Sequence, residues 1–121
     1  MFLANKDIGD RGEIIAINFL LSQGFKILEK KYRTPLGEID IIANKNEKLF
    51  FIEVKTRVGT KKGFPYEALN HKKLKHICNA SQFYLLNKKN KIAKLSIGLI
   101  SIILKPDYQI EKLDFYENIL L

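Results

Sequence analysis

Residues 37–57 read "GEIDIIANKNEKLFFIEVKTR". Two apolar runs, "EIDIIA" and "LFFIEVKTR", flank the polar "NKNEK", and the pattern predicts a β-hairpin. Leu49, Phe50, Phe51, Ile52 and Val54 leave the second strand apolar on both faces, as in a strand covered by other layers. Glu53 and Lys55 interrupt that run two residues apart, so they project from one face of the sheet. Burying a carboxylate and an ammonium costs several kcal/mol unless each finds a partner. The hairpin therefore carries a charged pair that needs a purpose.

Working outward, Lys6 to Ser22 has helical spacing, with Gly24 as its stop signal. A strand follows over Phe25 to Tyr32, and "RTPLG" turns the chain into the hairpin. Beyond the hairpin, "VGTKKGFP" is a glycine- and lysine-rich loop. A helix then runs from about Pro65 to Asn87, with Ala68, Leu69, Leu74, Ile77, Cys78, Ser81 and Leu85 as its buried stripe. "KLSIGLISIIL" reads as a fourth strand and "QIEKLDFYE" as a weaker fifth. Helix, three-strand meander, helix, strand, strand describes an α/β sandwich with a mixed sheet. At 121 residues, with no repeat, low-complexity tract or linker, the chain reads as one domain, 1–121.

Within "GEIDII", Glu38 and Asp40 share one strand face and Ile39 and Ile41 take the other. If "NKNEK" closes the hairpin, Asp40 lies beside Glu53, with Lys55 one pleat further on. Two neighbouring buried carboxylates repel, and one normally stays protonated. A divalent cation removes that penalty, and hard oxygen ligands suit Mg²⁺ or Mn²⁺. A nearby lysine can orient the attacking water and stabilise charge in phosphoryl transfer. Glu13 keeps register with Ile17 and Leu20 and so faces the core. Alone it reads as a solvated acid favoured by the helix dipole; beside Asp40 and Glu53 it reads as a third carboxylate of a metal-binding set. Glu38 reads equally as an outer neighbour of that set or as a polar strand start.

Lys and Arg number 21 against 13 Asp and Glu, a formal charge of +8. That excess favours a polyanionic partner, nucleic acid before acidic lipid, although a lysine-rich proteome produces the same balance. Lys61 and Lys62 fall in the loop just after Lys55. His71, Lys72, Lys73, Lys75 and His76 stud the start of the second helix, and Lys88, Lys89, Lys91 and Lys94 lie at its far end. The loop lysines, with Lys72 and Lys73, are the candidates for contact with a nucleic-acid backbone; the far group reads as a solvated face. His71 and His76 have no partner at zinc-ligand spacing. Nothing in the chain reads bases, so any selectivity concerns the shape of the nucleic acid. The single Cys78 excludes an internal disulfide and reads as a buried structural thiol. No run reaches the roughly 18 apolar residues of a membrane span, and "MFLANKDIGDRGE" turns charged too early for a signal peptide. A cytoplasmic location, with no membrane partner, is expected.

"GDRGEIIAINFLLSQGFKILEKKYRTPLGEIDIIA" followed by "LFFIEVKTR" resembles the bacterial YraN family, within the PD-(D/E)xK nuclease superfamily. The resemblance covers most of the chain and implies a restriction-endonuclease-like three-layer sandwich, a mixed central sheet flanked by helices. It places Asp40, Glu53 and Lys55 at the superfamily's catalytic positions, and Glu13 at that of the helix acid of Holliday junction resolvase relatives. It implies Mg²⁺-dependent hydrolysis of phosphodiester bonds. Ile39 stands where the motif's name has proline, and Gly98 where the family pattern usually has aspartate, outside the metal set. Three functions follow from these readings. The first is a metal-dependent endonuclease acting on DNA, selective for branched, flap or junction structure rather than sequence. The second is a nucleic-acid-binding module that keeps the fold without the chemistry. The third is an interaction protein that pairs as a homodimer, or with another chain, through a strand edge and the "ENILL" tail.

Overall fold

The computed structural model describes residues 3–88 and 94–120. Helix α1 (Asn5–Ser22) leads into the antiparallel meander β1 (Lys26–Thr34), β2 (Gly37–Lys45) and β3 (Lys48–Val58). A short 3₁₀ turn (Pro65–Ala68) and helix α2 (His71–Asn87) follow, then β4 (Lys94–Leu104) and β5 (Ile110–Tyr116). The strands lie in sequence order, β1 to β5, and among the described residues only the β3–β4 pair is parallel. Antiparallel neighbours can be joined by tight turns, whereas the parallel pair needs a crossover, which α2 supplies. Asn46 and Glu47, both at positive φ (53° and 62°), close the β2–β3 hairpin as two central turn residues.

The two helices cover opposite faces of the sheet. Ala16 and Leu20 of α1 pack on Ile41, Ala43, Phe50, Ile52, Val54, Ile100, Ile102 and Leu104. Ile77, Ala80 and Tyr84 of α2 pack on Ile39, Ile42, Leu49, Phe51 and Ile97. Phe50 and Phe51, adjacent in β3, thus serve different cores, which is why the strand is apolar on both sides. The result is the expected α/β sandwich with a mixed central sheet and a helix on each face.

Two expectations change. The helix placed from Pro65 to Asn87 is split. Asn70 accepts the Lys73 N–H at 2.9 Å as an N-cap, so α2 starts at His71 and Pro65–Ala68 forms a separate turn. The buried stripe shifts accordingly to Ile77, Ala80, Ser81 and Tyr84, with Leu74, Leu85 and a half-buried Cys78 at its margin. The second change concerns β2. Ile39 joins the α2-side core and Ile41 the α1-side core, so strict alternation fails at Asp40 between them.

Helix α1 approaches β3 closely because residue 12 is glycine. A Cβ there would overlap the Thr56 hydroxyl and sit 2.8 Å from the Thr56 Cβ. A helical Gly→Ala change ordinarily gains up to about 1 kcal/mol. Overpacking costs about 1–3 kcal/mol, so Gly12→Ala is expected to lower the melting temperature. A rise would mean that the α1–β3 contact yields more easily than its geometry implies.

Candidate active site

The β2–β3 ladder runs from Lys45↔Lys48 to Ile41↔Ile52 and stops there. Just past its end, the Val54 N–H donates to Asp40 Oδ2 at 2.8 Å. Asp40 therefore satisfies a backbone donor where the two strands separate. Continuing the register by one residue sets Asp40 opposite Glu53, as the hairpin reading expects. On the other side, the β1–β2 pairing skips the Lys31/Asp40 position, and Lys31 takes a left-handed φ of 47°. Asp40 thus sits at an irregularity in both of its ladders.

Glu53 is 2% exposed. Its Oε1 lies 3.4 Å from Lys55 Nζ and also 3.4 Å from Lys73 Nζ. Its Oε2 is buried and finds no hydrogen-bond partner among the described residues. Buried polar atoms are normally paired, so this oxygen stands out. Lys55 lies on the Glu53 face, as the two-residue spacing requires. Burial, then the charge of Glu53, pushes the Asp40 pKa up to about 7, against the pull of the Val54 N–H and the Lys73 ammonium.

Glu13 is largely buried on α1, its carboxylate 4.0 Å from Lys31 Nζ. Burial raises its pKa above the usual range; Lys31 works the other way, and Asp10, Glu38 and Glu53 add to the rise. Its carboxylate therefore feels the pair but leans toward Lys31. Among the described residues, no three His, Cys, Asp or Glu side chains stand close enough together to hold one ion. Glu38 turns outward, 3.5 Å from Arg33. Asp10 takes the main contact with Lys31, at 2.7 Å.

The basic residues divide by position. Lys61 and Lys62 are exposed and line a cleft of about 540 Å³ together with Asn5, Lys55, Thr56 and Arg57. Lys72, His71 and His76 are exposed on α2, whereas Lys73 points inward to Glu53. Lys88 reaches Glu29 at 3.8 Å; Lys89 and Lys91 lie outside the described residues. The contact of Lys73 with Glu53 was missed by sequence reasoning. Its signal was the spacing to Ile77, four residues on along the buried stripe. Among the described residues no helix is long and apolar enough to cross a membrane.

The donor set fits a hard divalent cation: two acids stand side by side, one with a buried oxygen that has no partner among the described residues. Comparison with known proteins bears on the family. The chain is 43% identical over 114 residues to a UPF0102 protein of Dictyoglomus thermophilum, covering 94% of this chain and 97% of the relative. It is 42% identical over 100 residues to one of Clostridioides difficile strain 630, covering 83% and 88%. A third, from Clostridium novyi strain NT, is 41% identical over 118 residues, 98% of each chain. The model of Uncharacterised protein family UPF0102 matches residues 12–104, a span that holds Glu13, Asp40, Glu53, Lys55 and Lys73. In agreement with the YraN resemblance, the chain belongs to the UPF0102 family.

Proposed function

We propose that this protein is a metal-dependent endonuclease that hydrolyses phosphodiester bonds in DNA and selects its substrate by structure rather than sequence. The observation that carries the reading is the pairing of part-buried Asp40 with buried Glu53, whose Oε2 is unpaired, next to Lys55, which itself lines a lysine-bearing cleft. A pair of like charges held at the end of a strand ladder costs stability, and an ionic core for structure alone has no need of it. Asp40 and Glu53 would hold Mg²⁺ or Mn²⁺; Glu13 of α1, the third acid of the resemblance, stands 4.0 Å from Lys31 and does not close on the pair among the described residues. The cation, when bound, supplies charge neutralisation at the phosphate. Lys55 orients the attacking water or stabilises negative charge on the phosphate as the bond breaks. Lys61 and Lys62, with Arg57 beside them, hold the backbone of the substrate strand, and Lys72 extends that footprint along α2.

The deciding experiment incubates purified protein with Mn²⁺ or Mg²⁺ and a panel of duplex, single-stranded, flap and four-way-junction DNA. Metal-dependent cleavage that favours a branched member supports the reading. Binding without cleavage throughout would transfer it to the second reading, a nucleic-acid-binding module. That reading draws on the contacts already closed at the site, Val54 N–H on Asp40 and two ammonium groups on Glu53.

The cleft makes its own prediction. Each phosphate neutralised by a lysine releases a counterion, so DNA binding should weaken steeply with salt. Replacing Lys61 and Lys62 together by Ala is expected to flatten the log–log salt slope by about two units. An unchanged slope would move the nucleic-acid footprint off this loop.

A further inference from the structure

Lys73 stands in the first turn of α2, four residues before Ile77 and in line with Ala80, Ser81 and Tyr84, which the helix buries. That register turns its side chain toward the sheet, whereas Lys72 and Lys75 beside it are exposed. The Asn70 cap on the Lys73 N–H fixes where the helix begins and hence where this stem points. The Lys73 side chain is 39% exposed, so its ammonium reaches Glu53 from the rim of the site and keeps a route back to solvent. Lys55 differs: it shares a strand and a face with Glu53, and its position follows from the pleat. Lys73 comes from another layer and can leave by rotating its own side chain. Its charge also acts on Asp40, whose pKa it lowers.

We propose that Lys73 is the internal counter-ion of the Asp40–Glu53 pair in the metal-free protein, and that a divalent cation displaces it on binding. The proposal rests on the reading of Asp40 and Glu53 as metal ligands, and it gives Lys73 a task different from the phosphate binding of Lys61 and Lys62. Two buried acids without a cation repel; an ammonium between layers offsets part of that repulsion at no cost in extra ligands. It must then compete with the ion it stands in for.

Competition of this kind has a signature that a phosphate-binding or purely structural lysine lacks. Removing Lys73 destabilises the metal-free protein and tightens metal binding, two effects of opposite sign. The test titrates Mn²⁺ alone, without nucleic acid, into wild type, Lys73→Met, Lys73→Arg and Lys72→Met, following heat and melting temperature. Lys73→Met keeps an apolar stem of similar reach. It is expected to melt lower than wild type in chelator and to bind Mn²⁺ about tenfold tighter, the size of a typical coupling between two sites. Lys73→Arg, which keeps the charge, and Lys72→Met, on the exposed side, are expected to bind as wild type does. If Lys73→Met fails to fold, Lys73→Gln is measured in its place. Unchanged or weaker Mn²⁺ binding by a folded Lys73→Met, with wild type binding normally, overturns the displacement and leaves the metal site standing. Binding by the variant and none by wild type supports it. No binding by any of the proteins removes the metal site itself, and the displacement with it.

Discussion

Lys55→Ala is expected to slow metal-dependent cleavage by about a hundredfold or more, the loss typical of a preorganised electrostatic group, while DNA affinity changes little. The asymmetry follows from what the ammonium does. Charge builds on the phosphate as the bond breaks, so a group aimed at that charge acts in the transition state more than in the ground state. The competing role, neutralising Glu53, predicts a collapse of stability, because a buried carboxylate would lose its cation. Here the structure separates the two. Lys73 stands at the same 3.4 Å from Glu53 Oε1 as Lys55 does, so Glu53 keeps an ammonium when Lys55 is removed. The variant should therefore fold and lose activity. Melting temperature, DNA affinity and cleavage rate measured on one preparation decide the matter. A folded variant that cuts at the wild-type rate would remove Lys55 from the mechanism, and one that no longer folds would make its role structural.

The carboxylate pair was legible in the sequence because it depends on short-range rules. A tight turn sets the register of a hairpin, and period two sets the face of Glu53 and Lys55. Together these place Asp40 beside Glu53 without any knowledge of the helices. Three things needed more than those rules. Asp40 breaks the alternation of β2, with Ile39 and Ile41 in different cores, because the β2–β3 ladder ends beside it and its carboxylate turns to the Val54 N–H. No local pattern announces where a ladder stops. The division of the second helix was written in the sequence as Asn70 three residues before Lys73, a capping spacing, but a continuous apolar stripe masked it. Lys73 reads from the sequence as a candidate contact for a nucleic-acid backbone, although the register argument that turns Glu13 inward applies equally to it.

Gly98 has a local steric setting. It pairs with Ile52, and a Cβ there would lie 3.2 Å from the Phe115 ring and 3.2 Å from the Tyr116 carbonyl. The end of β5 crosses this position closely, and Ser96 on the same strand donates to the Glu117 carbonyl. An aspartate at residue 98 would have to displace that segment. The crowding belongs to the β4–β5 pair, whereas Asp40 and Glu53 belong to β2 and β3.

Asp40→Asn is expected to act with opposite sign on stability and on activity, and the pH at which each is measured matters. Folding raises the Asp40 pKa from 3.8 to about 7, through burial first and the charge of Glu53 second. The folded protein thus holds a proton that the unfolded chain has already lost between those values. Stability from this group is complete below about pH 4 and declines as pH rises through 7. Each pKa unit corresponds to about 1.4 kcal/mol. With partial solvent access reducing the full shift, ionised Asp40 is expected to cost about 2 kcal/mol at pH 8. Asparagine removes the charge, and its amide oxygen can still accept the Val54 N–H. Metal-free Asp40→Asn should therefore melt above wild type at pH 8, with the gap narrowing as pH falls through 7 and closing only below about pH 4, where Asp40 is protonated in the folded and the unfolded chain alike. Millimolar Mn²⁺ should reverse the order at pH 8: binding to the native state raises the wild-type melting temperature, and the variant, short of one anionic ligand, should gain much less. Cleavage should fall by about a hundredfold or more, as when any preorganised charge at a reacting phosphate is lost. A variant that melts below wild type in chelator at pH 8 would mean that Asp40 is ionised and favourably paired in the folded protein. One that gains as much from Mn²⁺ as wild type would take Asp40 out of the metal site.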